Sequence, residues 1–122
     1  ILSGLSMDEE AGADLAEARA LIPQIKDAGV AETLAAQADA VEGRIFAGPE
    51  PARAAAALTR ALRYHERAMP AWVPELRLDL ARAQAALGLD DEAEAQLIAG
   101  IRLLESQRLQ LREGDQSLIL LN

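Results

Sequence analysis

Residues 75–105 read ELRLDLARAQAALGLDDEAEAQLIAGIRLLE, and this stretch decides the fold. Leu76, Leu80, Ala83 and Leu87 recur at spacings of four, three and four, which is one face of a 3.6-residue period. Gly88 stands where a helix needs a residue tolerant of positive φ in order to stop. Asp90 then suits the cap of a second helix, and Asp91 and Glu92 place negative charge near its positive dipole end. Ala93, Leu97, Gly100, Ile101 and Leu104 carry that helix onward. Alanine and glycine on the facing surfaces let two helix backbones approach closely, so the stretch is a helical hairpin built to nest.

Working outward, the same periodicity predicts helices before and after it. A first helix is expected over Ser6–Ala28, capped by Ser6 and loaded with acid at Asp8, Glu9 and Glu10, with Leu15, Ala18, Ile22 and Ile25 on one face. Pro23 should kink or break it, and Gly29 should end it. Leu34, Ala38, Val41 and Ile45 define a second helix over Val30–Ala47. Gly48-Pro49-Glu50-Pro51 stops the second helix and starts a third, over Pro51–Ala68, with Ala54, Leu58, Ala61, Leu62 and Met69 facing inward. Pro70, Trp72 and Pro74 mark the next connection. A fourth helix is expected from about Pro74 to Gly88 and a fifth from Asp90 to about Arg112, with Leu97, Ile101, Leu104 and Leu111 on its periodic face. Gly114-Asp115 reads as a stop and restart, and Ser117–Leu121 as the beginning of a sixth helix. No alternating run is long enough for a strand, so the expected class is all-α.

The chain also repeats itself. Ala93, Leu97, Gly100, Ile101 and Leu103 lie at relative positions matched by Ala54, Leu58, Ala61, Leu62 and Tyr64. Small, large, small, large, large at these offsets resembles the second helix of a tetratricopeptide repeat (TPR), whose period is about 34 residues. The resemblance implies antiparallel helical hairpins stacked as a fragment of a TPR-like α-α superhelix, with units at about 31–68 and 75–108. Residues 98–115, IAGIRLLESQRLQLREGD, carry a further likeness. Ala99, Gly100, Ile101, Leu104, Glu105, Gln107 and Arg108, followed by Gly114 and Asp115, resemble the last repeat of bacterial TPR-CHAT proteins. In that family a helical array precedes a caspase-like protease domain. The likeness implies a regulatory or substrate-binding role for such an array, with the protease residues beyond Asn122.

Composition limits the alternatives. The 122 residues suffice for one domain with a modest core. Half are apolar but only 2% are aromatic, so alanine and leucine must build that core. A net charge of −8 argues against a nucleic-acid partner, whose binding face is usually basic. With no cysteine, disulfides, thiolate metal sites and a cysteine nucleophile are excluded within these residues, and a cytoplasmic setting is expected. No apolar run approaches the roughly 18 residues needed to cross a bilayer, and the first residues given do not show the basic-then-apolar arrangement of a secretory signal. The start at Ile1 and the apolar Leu118-Ile119-Leu120-Leu121 read as cut ends of a longer chain, and the latter offers a route to self-association.

Few residues suggest chemistry. His65 is the sole histidine and falls on the face of Ala54, Leu58, Ala61 and Leu62, so a packed structural role is expected. A phosphotransfer bundle using His65 is the sharp alternative, but it needs an exposed imidazole. The acidic pairs Asp8/Glu9, Asp90/Asp91 and Glu92/Glu94 are explained by helix starts and lack calcium-loop spacing. No cofactor or metal is expected. Arg53, Arg60, Arg63 and Arg67 share a sector of the third helix, either as a solvated face with pairs such as Arg63–Glu66 or as a strip for acidic partners, with Arg77 and Arg82 extending it. Residues 1–50 hold ten acids against Arg19, Lys26 and Arg44, a polarity that would equally align neighbouring units. Trp72 is expected to plug the gap between units, with a partner-facing anchor as the alternative. The reading that results is a non-enzymatic module binding a protein or peptide through Gln37, Arg44, Arg77, Asp79 and Gln84 on the second and fourth helices.

Overall fold

The computed structural model describes the backbone of residues 2–121 and the side chains of residues 9–114. It is all-α: α1 (Leu2–Leu21), α2 (Ala28–Phe46), α3 (Pro51–Ala68), α4 (Val73–Ala86) and α5 (Asp90–Leu121), with no strand among the described residues. Short 3-10 turns at Ile22–Gln24 and Pro70–Trp72 carry the chain from α1 to α2 and from α3 to α4. Each helix packs on its neighbour in the chain, and α2 also meets α4. Gly43 against Leu58 ties α2 to α3, and Gly100 against the Pro74 carbonyl and the Arg77 Cβ ties α5 to α4.

Local chemistry sets most of the boundaries. Pro51 sits in the first turn of α3 and Pro74 in that of α4, where a missing N–H costs nothing. Gly88 ends the first helix of the hairpin at φ +78°, and no other residue among those described has a positive φ. Asp91 and Glu92 load the first turn of α5 as expected, with Asp90 the first helical residue rather than the cap.

Three expectations about helix extent are corrected. The first helix already runs at Leu2 and stops at Leu21, so Ser6 lies within it, and Pro23 occupies the 3-10 turn. Gly29 does not end that helix. It is the second residue of α2, whose cap is Asp27, accepting a hydrogen bond from the Val30 N–H at 3.1 Å. Nor does Gly114-Asp115 interrupt α5, which continues to Leu121 without a sixth helix. Glycine at a helix end stops it only when it takes a left-handed conformation, and Gly114 remains helical. An added Cβ at Gly114 would meet nothing within 4 Å. Gly114→Ala is therefore expected to stabilise α5 by about 0.5–1 kcal/mol, read as higher helicity by circular dichroism at elevated temperature. A loss of helicity would mean that a break at this glycine is needed after all.

The core lies between α3 and α4. Ala54, Leu58, Ala61 and Leu62 of α3 meet Val73, Leu76, Leu80 and Ala83 of α4, with Leu103 of α5 packed against the cluster. Four of its eight buried members are alanines or the valine, which suits the close helix approach that the composition requires. α5 contributes a different face from the expected one. Ala93 and Gly100 are buried against the body, whereas Leu97, Ile101, Leu104 and Leu111 are exposed. Their spacing marks a helix face correctly, but no helix covers it among the described residues. Val41 and Met69 are likewise more open than their periodic positions implied.

Candidate partner-binding surfaces

Three of the four arginines in the α3 sector reach across to carboxylates of α2 while their side chains stay about half or more exposed. Arg53 donates from Nη2 and Nε to Glu42 Oε1 at 2.9 and 3.1 Å. Arg60 donates from Nη2 to Asp39 Oδ1 at 3.1 Å, and Arg67 pairs with Glu32. From α1, Arg19 reaches the same two carboxylates, 2.8 Å from Asp39 and 3.2 Å from Glu42. Asp39 and Glu42 are buried. Their charge is acceptable there because three guanidinium groups from two other helices converge on it. Hydrogen bonding to Glu42 raises the Arg53 guanidinium above its ordinary value, and Glu32 does the same for Arg67. Arg53 also lies over the Phe46 ring, 3.7 Å from its centroid.

This arrangement is a clasp between helices, and it uses three of the four strip residues. Arg63 is exposed and pairs with no carboxylate among the described residues. Glu66, its expected partner, instead accepts from Arg77 at 3.1 Å. Arg82 lies 3.6 Å from Asp79 on its own helix.

The five groove residues from the second and fourth helices divide between two sides. Arg44 on α2 donates to Asp79 on α4 at 3.2 Å and approaches Glu75 at 3.9 Å. Gln37 is exposed, two turns earlier on α2. Arg77 faces the other way, donating 2.8 Å to Gln96 of α5 and also holding Glu66 of α3. Gln84 is partly buried further along α4. Gln37, Arg44 and Asp79 thus lie toward the meeting of α2 and α4, and Arg77 lies toward α3 and α5.

A cavity of about 290 Å³ opens beside the first group, lined by Gln37, Val41, Arg44, Met69, Trp72 and Leu76, with His65 at its wall. Trp72 is 48% exposed at its edge. Standing in the 3-10 turn Pro70–Trp72, it lines this cavity with about half of its surface open, rather than filling the gap between hairpins as expected. His65 is 5% exposed, with Nδ1 2.7 Å from the Ala61 carbonyl and its ring edge-on to Tyr64. The face assigned to His65 from helical counting is therefore where it sits, and its imidazole is not open to a phosphate donor. The acids Asp90, Asp91, Glu92 and Glu94 are exposed at the start of α5, and the side chain of Asp8 lies outside the described residues. Among the described residues no three histidine or acidic groups converge to hold a metal.

A second, larger cavity of about 630 Å³ runs between α1 and α2, walled by Leu15, Leu21, Ile22, Leu34, Val41 and Ile45. Sequence reasoning missed it, and no separate signal could have found it. The apolar positions of both helices are periodic, and only their spacing in three dimensions shows that they leave a trough. No helix among the described residues is long and apolar enough to cross a membrane. Comparison with known proteins returns no match to a family model, to a curated protein or to a solved structure.

Proposed function

We propose that this chain is a non-enzymatic protein-interaction scaffold, built from TPR-like hairpins, that holds a peptide segment in the cleft between α2 and α4. The observation that carries this reading is Trp72, half exposed beside Met69 at the mouth of a cleft that also presents Gln37 and Arg44. An apolar anchor next to a few polar handles is the composition of a recognition site. Tryptophan and arginine are the side chains most often found to dominate binding energy. The hairpin character supports the repeat reading. Gly43 and Gly100 each stand at a close helix approach, and Arg44–Asp79 joins the first helices of the two hairpins. In helical-repeat proteins such first helices line the surface that grips the partner.

Trp72 is also the sole tryptophan, so its emission reports on the cleft directly. Peptides selected from a random display library against this chain are expected to shift that emission on binding. Trp72→Ala is expected to weaken binding, measured calorimetrically, by about 30-fold, the equivalent of roughly 2 kcal/mol. Binders whose affinity is indifferent both to Trp72→Ala and to Arg44→Ala would place recognition elsewhere and end this proposal.

A further inference from the structure

His65 holds an unused hydrogen-bonding position on the wall of the Trp72 cleft. Its Nδ1 lies 2.7 Å from the Ala61 carbonyl oxygen, which can only accept, so Nδ1 carries the proton. In the neutral imidazole that leaves Nε2 as an acceptor. No donor among the described residues reaches it. Nor is it sealed away. Among the described residues the buried side-chain atoms left without a partner are Arg77 Nε and Gln84 Oε1, not this nitrogen. The small exposure that His65 keeps, 5%, therefore includes Nε2, and it opens onto the cavity of about 290 Å³ that His65 walls. Helix packing accounts for the Nδ1 bond and leaves Nε2 without an internal use.

The rest of the cleft defines what can meet that nitrogen. Val41, Met69, Trp72 and Leu76 make its walls apolar, and Gln37 and Arg44 are the other polar side chains lining it. An entering side chain must bring an apolar body for the walls and a donor that reaches His65. An aspartate or glutamate carboxylate only accepts, so it offers Nε2 nothing. Lysine and arginine donate, but their charge would have to leave water for apolar walls. Serine and threonine carry the hydroxyl beside the backbone, with little apolar body behind it. Asparagine and glutamine bring a carbonyl that would need a partner of its own. Tryptophan donates from the side of its ring rather than from its tip. Tyrosine places a single neutral O–H at the far end of a rigid apolar ring, and ordering it on binding costs little entropy. The volume, near the lower end of known ligand pockets, suits one such side chain.

We infer that the peptide held in this cleft anchors through a tyrosine, its ring against Trp72 and Met69 and its hydroxyl donating to His65 Nε2. The inference rests on the reading of the α2–α4 cleft as a peptide site and adds the identity of the anchor. His65 is then the residue that selects tyrosine over phenylalanine. A phenylalanine ring would fill the same walls but shut Nε2 off from solvent with no donor in place. An acceptor buried without a partner is costly. Sites that bond a hydroxyl for this reason reject the analogue that lacks it.

The test starts from a random peptide display library selected against the parent chain, keeping the binders that Trp72→Ala weakens. These cleft binders are expected to share a tyrosine. Each is then synthesised with tyrosine and with phenylalanine at that position, and both forms are titrated calorimetrically. On the parent chain the phenylalanine form is expected to bind about 10-fold more weakly. On His65→Leu, checked for unchanged helicity by circular dichroism, the two forms are expected to bind alike. A second readout needs no variant. His65 is the sole histidine, so its ring gives the only imidazole signals in a nitrogen NMR spectrum of the parent chain. The Nε2 signal is expected at the position of a hydrogen-bonded nitrogen with the tyrosine form, and at that of an unbonded one with the phenylalanine form. Cleft binders that carry no tyrosine, or that bind equally with phenylalanine, would overturn the inference and leave the peptide cleft standing. A library that yields no binder sensitive to Trp72→Ala would remove the cleft and its anchor together.

Discussion

Truncating Leu58 to alanine is expected to cost about 3–4 kcal/mol of stability, measured by urea or thermal unfolding. Leu58 is completely buried, and its neighbours Ala54 and Ala61 are too small to close over the space it would leave. On its other side stands Gly43 of α2, where an added methyl would lie 2.2 Å from Leu58 Cγ and 2.4 and 2.8 Å from its two Cδ atoms. The same contact fixes the sign for the glycine. In an unconstrained helix, glycine to alanine gains up to about 1 kcal/mol. Here the new methyl must displace a side chain with no free volume around it, at a typical cost of about 1–3 kcal/mol. Gly43→Ala is therefore expected to lose about 1 kcal/mol net, and Gly43→Leu considerably more. Combining Gly43→Ala with Leu58→Ala is the sharper measurement. The methyl then enters the space that the leucine vacates, and the pair is expected to be at least about 1 kcal/mol more stable than the sum of the single losses. Simple additivity would show that the close approach of α2 and α3 is not what fixes this position.

Glu42→Ala should produce the second large effect, a loss of about 2 kcal/mol. The carboxylate is nearly buried and accepts from Arg53, Arg19 and Arg60, so its removal leaves Arg19 and Arg60 to share Asp39 and leaves Arg53 with Glu50 alone. Breaking a fully buried pair costs about 3–5 kcal/mol, and an exposed pair contributes about 0–1. These arginines are one-third to one-half exposed and can turn toward water, which sets the intermediate value. Because Arg19 is the polar tie from α1 to the body, the loss should appear first in α1, as faster amide exchange there than in α3 or α4. Uniform acceleration across all five helices would argue against this local role. Added salt should narrow the difference between Glu42→Ala and the parent chain.

The class of fold and most of the helices were legible in the sequence, because alanine and leucine at helical spacing admit no other period. α3 was legible to both ends, with Pro51 opening it and the Met69-Pro70 pair closing it. α5 shows where such reading stops. Gly88 and Gly114 look alike as residues, yet Gly88 takes a left-handed conformation and Gly114 stays helical. Glycine permits both, and its own identity does not choose between them. A similar limit applies to the Leu97–Leu111 stripe, since periodicity reveals an apolar face but not whether another helix covers it. The arginine sector of α3 was visible by counting, whereas its partners Glu32, Asp39 and Glu42 depend on how α2 is set against α3. Gln37 and Arg44 reach the Trp72 cleft, and Arg77 faces α5, for the same reason. Side-chain direction around a helix is local, but its neighbours are decided by packing.

The pairing of each helix with its chain neighbour also bears on how the molecule is made. α2 and α3 contain both halves of the Gly43–Leu58 contact and of the Glu42–Arg53 pair, separated by a turn of only a few residues. Loop closure across so short a span is entropically light, and helical proteins dominated by such nearby contacts fold in microseconds to milliseconds. On the ribosome, where residues emerge at about 5–20 per second, this hairpin can close long before α5 has been synthesised. The order of translation is thus also an order in which contacts can form: the α2–α3 hairpin is complete first, and α4 then covers the face that Leu58 and Leu62 present.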